Sequence, residues 1–287
     1  MGGRVAGGNA SNSTEIYQEG LRIPPLKLYD AGEPNETLFR IIDKNVRVPD
    51  KVAGDFRAQI SACELGERGF QDLGRQYGLD RLETLFDHLL DYTEELTRQA
   101  ISRLQDGQWE FADHIDNDGF TNDPVPIRVR IKKAGDTITA DYTGTSPQVK
   151  GAINSTLSYT SSITYACVKS VLGVDIPNNA GFFRPINIVA PEGSFVNPQL
   201  PAPVAARGLA AMRITETLFG AFAKMLPDKI FACGVGLDTG VTIAGYFPDR
   251  RPFLFLEFMY VSWGGGPDRD GIDGASLPHS NYSNTPV

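Results

Sequence analysis

Between Asp50 and Leu104 the chain repeats apolar residues at helical intervals, with one break at Gly78. Phe56, Ile60, Cys63, Phe70, Leu73 and Tyr77 recur at steps of three, four and seven, which lines them up on one face of a helix. Leu82, Leu85, Phe86, Leu89, Leu96 and Leu104 continue the rhythm until Gly107. Asp80 followed by Glu83 has capping-box spacing for the second run. Two long helices joined at one glycine predict an antiparallel helical hairpin, so about a fifth of the chain is committed before any strand is considered.

A different period follows. Ile127, Val129 and Ile131 alternate with Arg128 and Arg130, a half-buried strand, and the turn Ala134–Gly135–Asp136 leads to Ile138, Ala140 and Tyr142. Residues 156–172 and 207–226 read as helices, and 184–190, 229–235, 241–247 and 252–261 as strands. The opening residues to about Asn12 carry only small or polar side chains beyond Arg4 and Val5 and read as a loop. Residues 20–34, rich in Gly and Pro, read as extended chain and turns. Hairpins and helices without a strict βαβ rhythm give an α+β class: a helical hairpin, then a mixed, largely antiparallel sheet with packed helices. Two regions are expected, 1–107 (extended loop plus helical hairpin) and 108–287 (mixed α+β).

Charge narrows the function. The 287 residues carry 27 Lys and Arg against 35 Asp and Glu, net −8. A binder of phosphate backbones or of anionic membrane surfaces needs a basic face, so neither nucleic acid nor membrane is an expected partner. No run approaches the ~20 apolar residues of a spanning helix. The N-terminal stretch has no apolar core of a secretory signal, and Cys63, Cys167 and Cys233 form no disulfide framework. These features predict a cytoplasmic protein with buried thiols.

Several constellations carry chemistry. Residues 106–123 hold six acids and no Lys or Arg. His114, Asp116, Asp118 and Gly119 approach a calcium loop, but His114 stands at its first position and Val125 where the closing Glu belongs, which favours an acidic turn between strands. Asp238–Thr239–Gly240 is read as a tight hairpin, since no second acidic triplet and no phosphate loop accompanies it. Glu257 sits in a strand apolar on both faces, where a carboxylate must be paired, protonated or turned into a cleft. Glycine-rich loops follow it: Gly264–Gly265–Gly266, then Asp270–Gly271–Ile272–Asp273–Gly274. In the first half, Arg47 with Asn45 suits a carboxylate ligand. Asp55 fits either an active-site acid or a helix cap. Spacing alone does not decide between these roles.

These strings resemble the hydantoinase B/oxoprolinase family. The resemblance rests on EIYQEGLRIPPLKL (15–28), on Asn45–Val46–Arg47–Val48–Pro49 with Gly54–Asp55–Phe56–Arg57–Ala58–Gln59, and on DYTGTSPQVKGAIN (141–154). The turn Pro177–Asn178–Asn179–Ala180–Gly181, APEGSFVNPQLPAPV (190–204), the segment from Glu257 to Asp273 and NTPV (284–287) extend it over the whole chain. The resemblance implies a B-type subunit that opens a small cyclic amide, such as a hydantoin (N-methylhydantoinase activity included) or 5-oxoproline, in a hetero-oligomer with an A-type, ATP-binding subunit. ATP and magnesium would enter through that partner, and no cofactor through this chain. The family carries an upstream region with His- and Asp-rich motifs, to which zinc or manganese would bind, and continues beyond NTPV. The chain is therefore expected to be an internal fragment, inactive alone. The alternatives are a subunit of an ATP-dependent ketone carboxylase and a non-catalytic remnant that keeps a partner-binding surface. The candidate catalytic residues are Glu257 and Asp55. The candidate substrate-binding residues are Arg47, Asn45, Gln59, Asn154 and Asp270, and no residue is assigned to metal.

Overall fold

The computed structural model describes residues 2–5, 10–234, 239–259 and 262–274. Its centre is a four-stranded sheet in the order β3 (Gly107–Ile115), β4 (Val125–Ala134), β5 (Thr137–Asp141), β6 (Ile186–Val189). The first three strands are antiparallel, and β6 lies parallel to β5 after a crossover through helices α4 (Leu157–Leu172) and α5 (Ala180–Phe183). Alternate β4 residues, among them Ile127, Val129 and Ile131, are buried while Arg128 and Arg130 face out. Helix α6 (Arg207–Met225) packs on β3 and β4, and α4 packs on α6. Ile214, Leu218 and Phe222 of α6 join Ile163, Cys167 and Val168 of α4 in one core. An observed α+β fold agrees with the expectation from pattern.

Three buried polar devices fix this body. Tyr142 shares a 2.7 Å hydrogen bond with Thr164 on α4. The Asn154 amide bonds Val149 N (2.8 Å) and the carbonyls of Val149, Gly151 and Pro203 at 2.9–3.0 Å. Lys133 occupies a buried register position on β4 and reaches Asp106 at 2.7 Å, so its charge is neutralised.

The helices before the sheet are built differently. After a small hairpin of β1 (Tyr29–Asp30) and β2 (Glu33–Pro34), Asn35 caps α1 (Glu36–Lys44) by accepting the Leu38 N–H at 3.1 Å. Helix α2 (Pro49–Tyr77) begins at a proline, whose fixed φ and absent N–H suit a first helical position. Gly78, at φ 79°, ends α2 and starts α3 (Leu79–Ser102), a conformation that disfavours any side chain. Phe70 and Phe86, equally far from Gly78, stack with centroids 6.3 Å apart, so the two helices fold back as expected.

The predicted capping box does not form: Gly78 takes the cap position, and Asp80 lies inside the first turn of α3. Nor does the apolar face of α2 meet a core, because none of its residues is buried. Only the C-terminal half of α3 docks on the body. There Thr93, Thr97, Ala100 and Ile101 are buried, and Asn179 of the α5 cap donates to Thr93 Oγ1 at 2.9 Å. A Cβ on Gly181 would collide with the Leu90 carbonyl, so α5 and α3 cross at backbone contact. Arg184 adds bonds to Asp91 (2.8 Å) and Glu94 (3.0 Å).

The last described element is a separate antiparallel hairpin, β7 (Thr239–Tyr246) with β8 (Pro252–Met259). Residues 229–234, expected as strand, are irregular instead. Thr239 and Gly240 open β7 rather than forming a tight turn, which falls at residues 247–251. Asp238 lies outside the described residues, as do His279 and NTPV. The expectation of buried thiols holds for Cys167 alone, since Cys63 and Cys233 are exposed.

Candidate functional site

A cleft of about 560 Å³ opens where three peripheral segments meet: the N-terminal loop, the α1–α2 junction and the β7–β8 hairpin. Gly2 and Gly3 form its floor by close approach. Gly2 bridges Gly20, and a Cβ on Gly2 would collide with the Asn45 carbonyl and one on Gly3 with the Glu19 carbonyl. Arg47, just before α2, donates to the Arg4 carbonyl at 3.2 Å and so ties the junction to the loop. Phe253 and Leu254 of β8 and Tyr246 of β7 make the apolar wall.

Three charged side chains line this cleft: Glu19, Arg47 and Asp55. Glu19 Oε1 accepts the amides of Val204 (2.6 Å) and Ala205 (2.8 Å) and anchors the loop to the body. Burial pushes its carboxyl up, outweighing the two amides and the Arg207 charge, which act to lower it. Asp55 is exposed and stands too far inside α2, which starts at Pro49, to cap the free amides of the first turn. The helix-cap alternative for Asp55 is thereby removed.

The other expected site residues fall elsewhere. Asn45 is adjacent, but its side chain bonds the Ile41 carbonyl at 2.7 Å and caps α1. Gln59 lies one turn beyond Asp55 on α2 and is exposed. Asn154, fully buried with its amide committed to backbone, has no face to offer a substrate, and its expected binding role is corrected to a structural one. Glu257 is exposed, not buried, because among the described residues β8 has a single partner strand and packs on no second layer. Asp270 is exposed in the loop beyond. Neither belongs to the cleft lining. Glu19 carries no signal of its own in the sequence, although it lies inside the EIYQEG string.

The glycines after β8 have a structural reason. A Cβ on Gly264 or Gly271 would strike the carbonyl of Ala232 or Trp263, and Trp263 stacks on Phe231 at 4.5 Å. Beneath this loop lies a polar cluster that pattern reading missed. Arg213 bonds Asp113 at 2.8 Å, and buried Glu216 accepts the Gly234 N–H at 3.3 Å. Burial, then the Glu216 charge, pushes the Cys233 thiol up to about 11. Of the acidic stretch at 106–123, read as a turn between strands, residues 107–115 form β3 and only 116–123 make the turn, where Asp118 Oδ1 accepts the amides of Phe120 and Thr121, both at 2.9 Å. Among the described residues, no three His, Cys, Asp or Glu converge on a point where a metal ion fits.

Comparison with known proteins places the chain in a family. Residues 1–287 match the family described as Hydantoinase B/oxoprolinase. The chain belongs to the hydantoinase B/oxoprolinase family. A Pseudomonas sp. (strain NS671) protein, provisionally named as the B component of a D-/L-hydantoinase, is 34% identical over 96% of this chain and 48% of its own length. The beta component of the Pseudomonas jessenii caprolactamase is 29% identical over 91% of this chain and 45% of its own. The crystal structure of the ATP-dependent caprolactamase from that organism superposes with a TM-score of 0.86 at 27% identity, covering 97% of this chain and 49% of that one. Nucleotide-free acetone carboxylase shares the fold at a TM-score of 0.86 and 13% identity, covering 97% of this chain and 39% of that one. The chain thus spans about half the length of the two Pseudomonas relatives. No described helix is long and apolar enough to cross a membrane.

Proposed function

We propose that this chain supplies the B-type part of an ATP-dependent enzyme that opens a small cyclic amide, working with an A-type subunit that binds the nucleotide. The observation that carries this reading is the whole-chain likeness to an ATP-dependent caprolactamase at 27% identity. An unactivated amide carbon is a poor electrophile, and phosphorylating its oxygen corrects that. The amide oxygen attacks the γ-phosphorus and ADP departs. Water then loses a proton and adds to the carbon. The ring C–N bond breaks with its electron pair on nitrogen, which takes up a proton. A second water splits the resulting acyl phosphate into carboxylate and phosphate.

In this reading exposed Asp55, on the cleft lining, takes the proton from water. Glu19, its carboxyl held up by burial, is the one suited to give a proton to the departing nitrogen. Arg47 offers a planar, bidentate partner for the phosphorylated oxygen. The described residues alone do not fit zinc or manganese, and no step here passes through a metal. The test is ring opening and ADP release by the full protein with its A-type subunit on caprolactam, hydantoin and 5-oxoproline. Stoichiometric ring opening and ADP formation on one of them is expected. ATP-dependent carboxylation of a ketone, with none of the three amides opened, would favour the carboxylase alternative.

A further inference from the structure

Helix α2 runs through 29 residues without burying one of them. Its partner α3 is docked on the body only by its C-terminal half, so the hairpin projects. The projecting part displays Leu65, Phe70, Leu73, Tyr77, Phe86 and Leu89, with Leu65 at 65% and Phe70 at 50% exposure. An apolar helical face of this extent, alternating with charge, is the composition of an interface core with a polar rim. The same segment is acidic. Residues 49–90 hold eight acids and five bases, net −3 of the total −8.

That charge selects the occupant. A second copy of this chain would bring −3 against −3 around the apolar stripe, whereas a different chain with an apolar face edged by Lys and Arg would be drawn to it. Position selects it too. Val48, Val52 and Asp55, at the root of α2, line the candidate cleft, so a protein seated along the hairpin borders the place where an activated amide must form.

We infer that the α2–α3 hairpin is the docking arm for the A-type subunit, gripped by an apolar face with a cationic edge. This rests on the reading that an A-type subunit exists for this chain, and the experiment separates the two. The dissociation constant of the full protein with its A-type subunit would be measured for the wild type and for Leu65→Glu/Tyr77→Glu/Leu89→Glu, which spares the Phe70–Phe86 stack between the helices. Sedimentation and melting temperature of each protein alone, and ring opening by each pair, complete the set. The expected result is about 100-fold weaker binding by the variant with its melting temperature unchanged. Wild-type binding should also weaken as salt rises.

Equal binding by variant and wild type would overturn the docking arm while leaving the function standing. A wild-type dimer that the variant abolishes would assign the face to a second copy. A fall of several degrees in the variant's own melting temperature would place the face against this chain itself. Either result overturns the inference. Wild type that fails to bind the subunit overturns it as well, and the ring-opening assay then decides separately whether the functional reading survives.

Discussion

The sheet body and the arms around it solve folding in opposite ways. From β3 to α6 the chain buries its apolar side chains against itself, and its interior polar groups find partners within the same region, as at Asn154 and at Tyr142 with Thr164. Helix α2, the front of α3 and the β7–β8 hairpin leave Leu65, Phe70, Phe86, Ile243 and Phe255 exposed. The cleft lies among the arms, not in the body. Burial is concentrated in one region, and the proposed recognition and chemistry draw on the other, whose segments pack on little of the chain itself.

This contrast is open to direct attack. Phe222→Ala, which empties a fully buried site on α6, should cost about 3–5 kcal/mol, whereas Phe70→Ala on the arm should cost no more than ~1 kcal/mol. Urea unfolding of the two variants measures both, and similar losses would erase the distinction. Asn154→Ala strips the Val149 amide and three carbonyls of their partner and should cost about 2 kcal/mol. Its turnover per folded molecule should stay at the wild-type value, because the residue stiffens a loop of the body.

A pH series sharpens the comparison further. Burial acts to raise the Asp118 carboxyl, but the amides of Thr121, Phe120, Gly151 and Lys150 prevail and hold it below its usual range. A carboxyl depressed in the folded state contributes stability that is complete above its unfolded pKa, near 4. That stability is lost as pH falls through the lower, folded value. Asp118→Asn should therefore lose stability at neutral pH and show a flatter acid limb in thermal melts taken from about pH 6 to about pH 2. An unchanged acid limb would mean that the Asp118 turn contributes nothing to the body. The smallest effect concerns thiols. With its pKa pushed up to about 11, Cys233 is roughly one part in a thousand thiolate at about pH 8, so a thiol reagent should modify it slowly despite its exposure. Cys63 on the projecting arm should react first, and Cys167 only on unfolding.

Much of the body is legible because its signals are local. Alternation at Ile127, Val129 and Ile131 is a period-two pattern with one buried face, and β4 and β5 appear where it places them. Strand β3 is hidden because its acids, at Glu110 and Asp113, lie on the same stretch as the apolar Trp109 and Phe111 and draw attention to charge. The arms are legible as helices but not as surfaces. Periodicity reports that Phe56 to Tyr77 share a face, and it is silent on what that face meets.

The cleft is half legible. Arg47 and Asp55 are marked by residue type and by resemblance, whereas Glu19 enters through backbone amides 185 and 186 residues away, which no spacing rule reaches. Glu257 misleads because an apolar strand is not always a buried one, and among the described residues β8 has no layer to bury it.

The central claim is that the chemistry resides where the arms converge, at Arg47 and Asp55, and not in the packed body. The most direct measurement is ATP-dependent ring opening by the full protein with its A-type subunit, comparing wild type with Asp55→Asn, alongside the melting temperature of each. Loss of turnover by about 100-fold or more, with the melting temperature unmoved, is the expected result. Wild-type turnover in Asp55→Asn would remove this carboxylate from the reaction and contradict the placement of the site.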